Sequence, residues 1–194
     1  MKRHKKNLVM ENLNELVQTY ENALKENVCD FLIDVFKEHS DKQERIENER
    51  KPNFTQINLT ENCKLTEKIE QVHNHLIQKT FQYRNEYYEM VSERVFPEEH
   101  SFEQFRIKRY NNDGNDEFGT HVDVVDYETA RRFLSFMWYL NDVEKGGETK
   151  FLNMMVNPKK GNLLVFPPLW MFPHSGLIPI SSPKYIISTY LHYK

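Results

Sequence analysis

The sequence of 194 residues contains little glycine, and what it has is unevenly distributed. All six glycines lie between Gly114 and Gly176, so none occurs in the first half of the chain. Glycine marks turns and backbone conformations with positive φ. We therefore predict helices with polar connections in the first half, and short strands with tight turns in the second.

Cysteine is also scarce, because only Cys29 and Cys63 occur. This excludes a disulfide scaffold and is typical of a reducing compartment. The basic start of the chain is followed by only a short apolar run, Leu8-Val9-Met10, where a secretory signal needs a longer one. No stretch approaches the roughly 20 apolar residues of a membrane span. We expect an intracellular, cytoplasmic protein without a membrane segment.

The chain has no large excess of either charge sign, with a formal net charge of −3. A near-neutral chain has no overall basic field that would attract nucleic acid. Neither nucleic acid nor a membrane is therefore an expected partner. A peptide, a protein or a small molecule remains, and the sequence leaves the oligomeric state open.

Hydrophobic periodicity divides the first half into a few elements. Apolar positions at helical spacing predict a helix over about residues 25–39 and a long one over 65–91, ending before Pro97. The polar residues 40–53 between them are predicted as a loop. A short strand is expected over residues 54–59.

The second half changes to the alternating and continuous apolar patterns of strands. Strands are predicted over residues 105–110, 133–140, 150–152, 154–156, 163–166 and 184–193. Many short antiparallel strands around aromatic side chains favour an α+β protein with a jelly-roll core, with the N-terminal helices packed on one face. We expect one domain over residues 1–194, in which residues 1–99 form a mainly helical support region and 100–194 the catalytic core.

Three side chains in the second half are candidate metal ligands. His121 and Asp123 form an H-x-D step, and on a strand residues two apart point to the same face. His174 could complete the set from another strand. Two imidazoles and one carboxylate can hold a redox-active metal and leave positions open for substrate and dioxygen. An H-x-D step alone is common by chance, so the neighbouring motifs decide its meaning.

Several motifs stand in a specific order around this triplet: Tyr110, His121-Val122-Asp123, Tyr139-Leu140-Asn141-Asp142-Val143, Gly146-Gly147-Glu148-Thr149, Pro158-Lys159-Lys160-Gly161, His174 and Lys184. Together they resemble the iron- and 2-oxoglutarate-dependent dioxygenases, specifically the prolyl 4-hydroxylase catalytic-domain family, over about residues 100–194. The resemblance implies a double-stranded β-helix core and Fe(II) bound by His121, Asp123 and His174. It implies that Lys184 pairs with the distal carboxylate of 2-oxoglutarate.

Two tyrosines also take a role from the resemblance, which places Tyr110 and Tyr139 against the co-substrate. Tyr139 shares strand parity with Ser135 and Met137, so this face carries hydroxyl groups that suit a polar pocket. Lys184 has a physical rationale of its own. A dicarboxylate held in a dry barrel needs a cation, because an unpaired buried charge is costly.

Arg106 and Lys108 share the strand parity of Tyr110, and their direction stays open. Regular pairing would aim them into the cavity, while a position near the mouth would attract an acidic peptide or a carboxylate substrate. A bulge would turn them outward. The sequence alone does not separate these arrangements.

The resemblance implies an enzyme that hydroxylates an aliphatic C–H bond, with a prolyl residue of a peptide or protein as the substrate. Fe(II), 2-oxoglutarate and dioxygen are the implied cofactors, succinate and carbon dioxide the co-products, and ascorbate a candidate reductant. A free amino acid or another small molecule is an alternative substrate. A non-catalytic or zinc-binding jelly-roll module is an alternative of a different class, since zinc accepts the same ligands. Nucleic-acid demethylation is disfavoured by the near-neutral charge and by a lysine, rather than an arginine, at position 184.

Overall fold

The computed structural model of the protein describes residues 12–48, 52–92 and 95–194. The basic start of the chain, for which the sequence predicts no secretory signal, lies outside the described residues. Within the described ranges, no helix combines the length and the apolar character needed to cross a membrane.

Two long helices form one layer of the molecule, α1 over Glu26–Glu38 and α2 over Glu67–Val91. In α2 the Thr66 side chain accepts a hydrogen bond from the Ile69 backbone N–H, which satisfies one of the free donors of the first turn. Both helices bury one apolar stripe, in α1 made of Cys29, Leu32, Val35 and Phe36. Both lie within two residues of the predicted bounds.

The described part of the chain contains the strands β1 (Gln18–Tyr20), β2 (Glu44–Ile46), β3 (Phe54–Asn58), β4 (His100–Phe102), β5 (Arg106–Tyr110), β6 (Phe118–His121), β7 (Arg132–Tyr139), β8 (Thr149–Phe151), β9 (Met155–Val156), β10 (Leu163–Phe166), β11 (His174–Gly176) and β12 (Lys184–Tyr193). They pair in two antiparallel sheets. The larger has the order β1-β10-β7-β12-β5-β3-β2, with β4 also paired to β12, and the smaller has the order β6-β11-β8-β9. This arrangement confirms the expected jelly roll with helices beside it.

The larger sheet has a different partner on each face. Leu134, Phe136 and Trp138 of β7 share one buried cluster with the apolar residues of both helices. Tyr139 belongs to a second cluster, which joins the larger sheet to Phe151 and Phe172 on the side of the smaller sheet. The alternation along β7 confirms the predicted parity, and it places the candidate site between the two sheets.

The first half contributes more strand than the sequence predicts. Residues 40–53 were expected to form a loop, but β2 lies within them and pairs with β3. The Gln56 side chain donates a hydrogen bond of 2.8 Å to the Glu44 carboxylate across this pair. Because β2 is a short edge strand with polar, largely exposed side chains, it has no apolar alternation that would reveal it. β1 is another short edge strand, paired only with β10.

Candidate metal and co-substrate site

A cavity between the two sheets contains the candidate ligands. Its walls come from both sheets, and the described lining residues are Lys108, Tyr110, Phe118, His121, Asp123, Ser135, Met137, Thr149, Phe166, His174, Gly176, Lys184, Ile186, Ser188 and Tyr190. All three predicted metal ligands and two of the three predicted co-substrate residues are among them.

Strand pairing brings the two histidines together. His121, at the end of β6, lies directly opposite His174, the first residue of β11. Asp123 follows just beyond β6, so it does not occupy a strand as expected, yet it still reaches both rings. One carboxylate oxygen lies 3.4 Å from His121 Nε2, and the other lies 3.6 Å from His174 Nε2. One possible ligand atom from each of the three residues lies within 4.8 Å of the others.

Backbone carbonyls fix the orientation of both imidazoles. The Nδ1 atom of His121 lies 2.8 Å from the Gly119 carbonyl, and that of His174 lies 3.0 Å from the Phe172 carbonyl. Because a carbonyl oxygen only accepts, each Nδ1 donates, and the neutral ring keeps its lone pair on Nε2. The Phe118 ring stacks on His121 with 3.5 Å between centroids. The Nε2 lone pair of each ring is therefore free and oriented to bind a metal cation.

The ionisation states also suit a metal site. Burial raises the pKa of the Asp123 carboxyl. A hydrogen bond from His121 and the charges of His174 and His121, which the rings have when they are protonated, outweigh burial, so the pKa lies below its usual value. Burial lowers the pKa of His174. The site therefore favours a carboxylate beside a neutral imidazole, which are the forms that bind metals. Asp123 Oδ2 is buried without a hydrogen-bond partner, so the triad fits a divalent cation that would satisfy this oxygen.

A buried lysine stands in the same cavity. Lys184 begins β12 opposite Tyr110, and only 2% of its surface is exposed. Its Nζ donates a hydrogen bond of 2.9 Å to the Gly147 carbonyl and lies 4.6 Å from the centre of the Tyr110 ring. Burial lowers its pKa to about 7, against the opposing charge of Glu148. No ion pair within the described ranges involves this ammonium, so the cavity presents a cation without a counter-ion.

The two predicted tyrosines lie at different depths. Tyr110 lines the cavity, and its ring packs 5.3 Å from that of Phe54. Tyr139 is fully buried and is not part of the described lining. Its hydroxyl lies 2.8 Å from Thr149 Oγ1, and Thr149 does line the cavity. Tyr139 is therefore placed one layer behind the cavity wall, where Thr149 stands between it and any bound molecule.

The directions of Arg106 and Lys108 differ. Lys108 lines the cavity, and its pKa is lowered to about 8, chiefly by burial and against the attraction of Asp123. Arg106 is not among the described lining residues, and its guanidinium donates a hydrogen bond to the Gln104 side chain. Arg106 and Lys108 thus point to the same face of β5, but of these two side chains only Lys108 lines the cavity.

Sequence reasoning missed an arginine that holds the segment of Asp123. Arg132 donates to the Asp123 backbone carbonyl at 2.9 Å and forms two hydrogen bonds, of 2.6 and 2.9 Å, with the Glu103 carboxylate. Its guanidinium also lies 4.3 Å from the centre of the Tyr190 ring, which lines the cavity. The sequence could have predicted Tyr190 as a lining residue, because it lies on the same face of β12 as Lys184. No local pattern points to the Arg132 contacts.

Comparison with protein-family models finds one match: residues 105–192 fit the 2OG-Fe(II) oxygenase superfamily. This range includes β5 to β11 and most of β12, and with them the whole lining of the cavity described above. No curated protein sequence matches the chain.

Several solved structures share the fold. The viral collagen prolyl hydroxylase of Paramecium bursaria Chlorella virus-1, solved with 2OG, has a TM-score of 0.66 and 21% identity, over 92% of this chain and 96% of that one. A Pseudomonas putida prolyl-4-hydroxylase has a TM-score of 0.68 and 16% identity, over 92% and 93%. A Trichoplax adhaerens prolyl hydroxylase, in complex with a hypoxia inducible factor peptide fragment, has a TM-score of 0.70 and 14% identity, over 91% and 83%.

Proposed function

We propose that this chain, which belongs to the 2OG-Fe(II) oxygenase superfamily, hydroxylates an aliphatic C–H bond of a prolyl residue in a peptide or protein. It is a 2-oxoglutarate-dependent dioxygenase, whose cofactors are Fe(II), 2-oxoglutarate and dioxygen. The observation that carries the proposal is the pairing, in one cavity, of a His-Asp-His triad with a buried ammonium that has no counter-ion among the described residues.

In the proposed site, His121 and His174 hold Fe(II) through their Nε2 atoms, and Asp123 holds it through its carboxylate. When bound, the iron supplies the redox chemistry that consumes dioxygen and 2-oxoglutarate and leaves succinate, carbon dioxide and a hydroxylated product. The backbone carbonyls of Gly119 and Phe172 keep each imidazole in its metal-binding tautomer. Arg132 keeps the segment of Asp123 in place.

Lys184 binds the distal carboxylate of 2-oxoglutarate in this proposal. Its buried ammonium is costly alone, and a carboxylate supplies the missing charge in a site shielded from water. Pairing raises the lysine pKa, so Nζ keeps its proton when the diacid is bound. Tyr110 forms the wall beside Nζ. We propose that Tyr139 acts through Thr149, whose hydroxyl it orients, rather than by direct contact.

Apolar side chains enclose the cavity between the triad and Lys184. Phe118, Met137, Phe166 and Ile186 contribute to its walls. Such walls exclude bulk water and strengthen the charge interactions within.

Exposed apolar side chains close to the ligands in the sequence favour a peptide or protein over a small molecule. Val125 and Tyr127 follow Asp123 along the chain and are 71% and 90% exposed, respectively. Trp170 precedes His174 by four residues and is 77% exposed. Large apolar side chains exposed beside a site mark a surface that binds another molecule. A free amino acid would be enclosed by the cavity and would not need them.

A turnover assay tests the proposed function. The protein is incubated with Fe(II), 2-oxoglutarate and ascorbate, with either a library of blocked proline peptides or free proline, and succinate is measured. Mass spectrometry should show a gain of about 16 Da, one oxygen atom, on a prolyl residue. Reactions without Fe(II), and without ascorbate, are the controls. If free proline stimulates succinate release and none of the peptides does, the proposal of a peptide substrate is wrong.

A further inference from the structure

Lys108 is a second ammonium in the cavity, and nothing in the proposed reaction uses it. It lines the same space as the metal triad and projects from the β5 face that carries Tyr110. Its Nζ lies 5.2 Å from the centre of the Phe54 ring. In the described parts of the chain, the Lys108 ammonium makes no hydrogen bond and no ion pair.

The carboxylates near Lys108 are engaged elsewhere. Two acidic groups act on its charge, Asp123 and Glu103. Glu103 accepts two hydrogen bonds from Arg132, and Asp123 belongs to the metal triad. Arg106 and Arg132 repel the same ammonium. Lys108 therefore stands on the basic side of the cavity, and among the described residues no acidic group is left to pair with it.

The charges of the loaded site do not balance without a further anion. A divalent metal and the two lysines bring four positive charges, while Asp123 and the dianion of 2-oxoglutarate bring three negative ones. One carboxylate of the co-substrate is matched by the metal and the other by Lys184. One positive charge remains, and it lies at Lys108.

Lys108 and Lys184 serve different parts of the cavity. Lys184 pairs in register with Tyr110, whereas Lys108 pairs with Ile186, so their backbones are two residue steps apart along β12, roughly 7 Å. The charges of Asp123 and His174 interact with Lys108. The acidic group that acts on Lys184 is Glu148. Lys108 thus faces the metal side, where the substrate must bring its C–H bond.

We propose that Lys108 is a specificity-determining residue, which selects substrates that carry a carboxylate next to the target proline. The inference rests on the proposed function, because the carboxylate must belong to the molecule that is hydroxylated. An aspartate or glutamate side chain and a free C-terminal carboxylate both supply this chemistry. A charge-assisted hydrogen bond in a partly dry site should favour the acidic substrate roughly tenfold.

The experiment compares matched peptide pairs on the enzyme loaded with Fe(II) and 2-oxoglutarate without oxygen. One pair is blocked at both ends and carries Asp or Asn beside a single proline. The other ends at proline as a free carboxylate or as an amide. Dissociation constants come from fluorescence anisotropy at pH 7, below the Lys108 pKa of about 8. Hydroxylation rates are then measured in air.

In the wild type, at least one pair should show the acidic member binding roughly tenfold more tightly. Lys108→Gln should bring that ratio to about one, and Lys108→Glu should invert it. Arg106→Gln is the matched control on the same strand face, because Arg106 is bound to Gln104. Arg106→Gln should keep the wild-type ratio. This control shows whether the loss of any nearby positive charge removes the preference for the acidic peptide.

Four results overturn the inference. Equal binding of acidic and neutral peptides by the wild type, with hydroxylation of both, rejects the role of Lys108 but leaves the proposed function standing. A ratio that is unchanged in Lys108→Gln also rejects it. A loss of 2-oxoglutarate affinity in Lys108→Gln, as large as the loss of peptide affinity, assigns the lysine to the co-substrate instead. Failure to bind or hydroxylate any proline peptide rejects the proposed function itself, and the inference with it.

Discussion

Replacing Lys184 by methionine should make the empty protein more stable while it weakens co-substrate binding. Methionine keeps an unbranched side chain of similar length, so the packing against Tyr110 and Gly147 is largely preserved. It removes the ammonium, which is buried without a counter-ion in the part of the chain that the structure describes. A residue that binds an absent anion is expected to destabilise the protein when that anion is missing.

The size of the effect follows from the pKa. Burial lowers the Lys184 pKa from 10.5 to about 7. At about 1.4 kcal/mol for each pH unit, the charged form costs about 5 kcal/mol of folding free energy. The variant loses the hydrogen bond to the Gly147 carbonyl, and a buried carbonyl without a partner costs about 1–3 kcal/mol. The free energy of unfolding should therefore rise by about 2–4 kcal/mol.

The gain should depend on pH in a defined direction. Between pH 7 and 10.5 the unfolded chain holds a proton on Lys184 that the folded protein has lost, so wild-type stability rises with pH across this window. The cost of the ammonium is fully present below pH 7. The advantage of the methionine variant should therefore be largest below pH 7 and shrink as the pH approaches 10.

Calorimetry at pH 6.5 provides the assay. The Lys184→Met variant should melt roughly 5–12 °C above the wild type. Metal alone should raise the melting temperature of both proteins, because the variant keeps the triad. Adding 2-oxoglutarate to the metal-loaded protein should raise it further in the wild type and clearly less in the variant. Lys150→Met, at an exposed lysine of β8, is the control and should change the melting temperature little. A variant that melts below the wild type at pH 6.5, or whose melting temperature rises with 2-oxoglutarate as much as that of the wild type, refutes this reasoning.

Three further substitutions test other parts of the site. Arg132→Lys removes the paired hydrogen bonds to Glu103 that hold the guanidinium against the Asp123 carbonyl. Calorimetric titration should therefore show about tenfold weaker metal binding. Trp170→Ala should raise the dissociation constant of a proline peptide several-fold and leave 2-oxoglutarate affinity unchanged, whereas Leu65→Ala, at an exposed residue beside α2, should alter neither. Tyr139→Phe leaves the Thr149 hydroxyl without its partner, so denaturant unfolding should show a loss of about 1 kcal/mol. Direct contact between Tyr139 and the co-substrate would instead appear as a large loss of 2-oxoglutarate affinity.

Much of the fold is readable from local patterns. The helices α1 and α2 and the strands β10 and β12 have continuous apolar periodicity, and the structure places them within two residues of the predicted bounds. The alternation along β7 also predicts which of its side chains face the helices. Such patterns are visible because burial on one face selects one class of side chain.

The remaining features depend on pairing between distant segments. β2 is polar and short, and it is a strand only because β3 lies beside it. Arg132 reaches Glu103 across 29 positions of the sequence, and no periodicity records that contact. The depth of Tyr139 follows from the side chain in front of it, Thr149 of β8, rather than from its own strand parity.

In the proposed site, one iron triad and one buried ammonium hold the two ends of the same diacid. Anaerobic addition of Fe(II) and 2-oxoglutarate should produce the weak visible absorption band of the metal chelate, and titration of that band measures both ligand sets. We expect a saturable band in the wild type, no band in His174→Ala, and at least a tenfold higher half-saturating 2-oxoglutarate concentration in Lys184→Met. A band that survives in His174→Ala, or an unchanged titration in Lys184→Met, would contradict binding of the diacid at these two points.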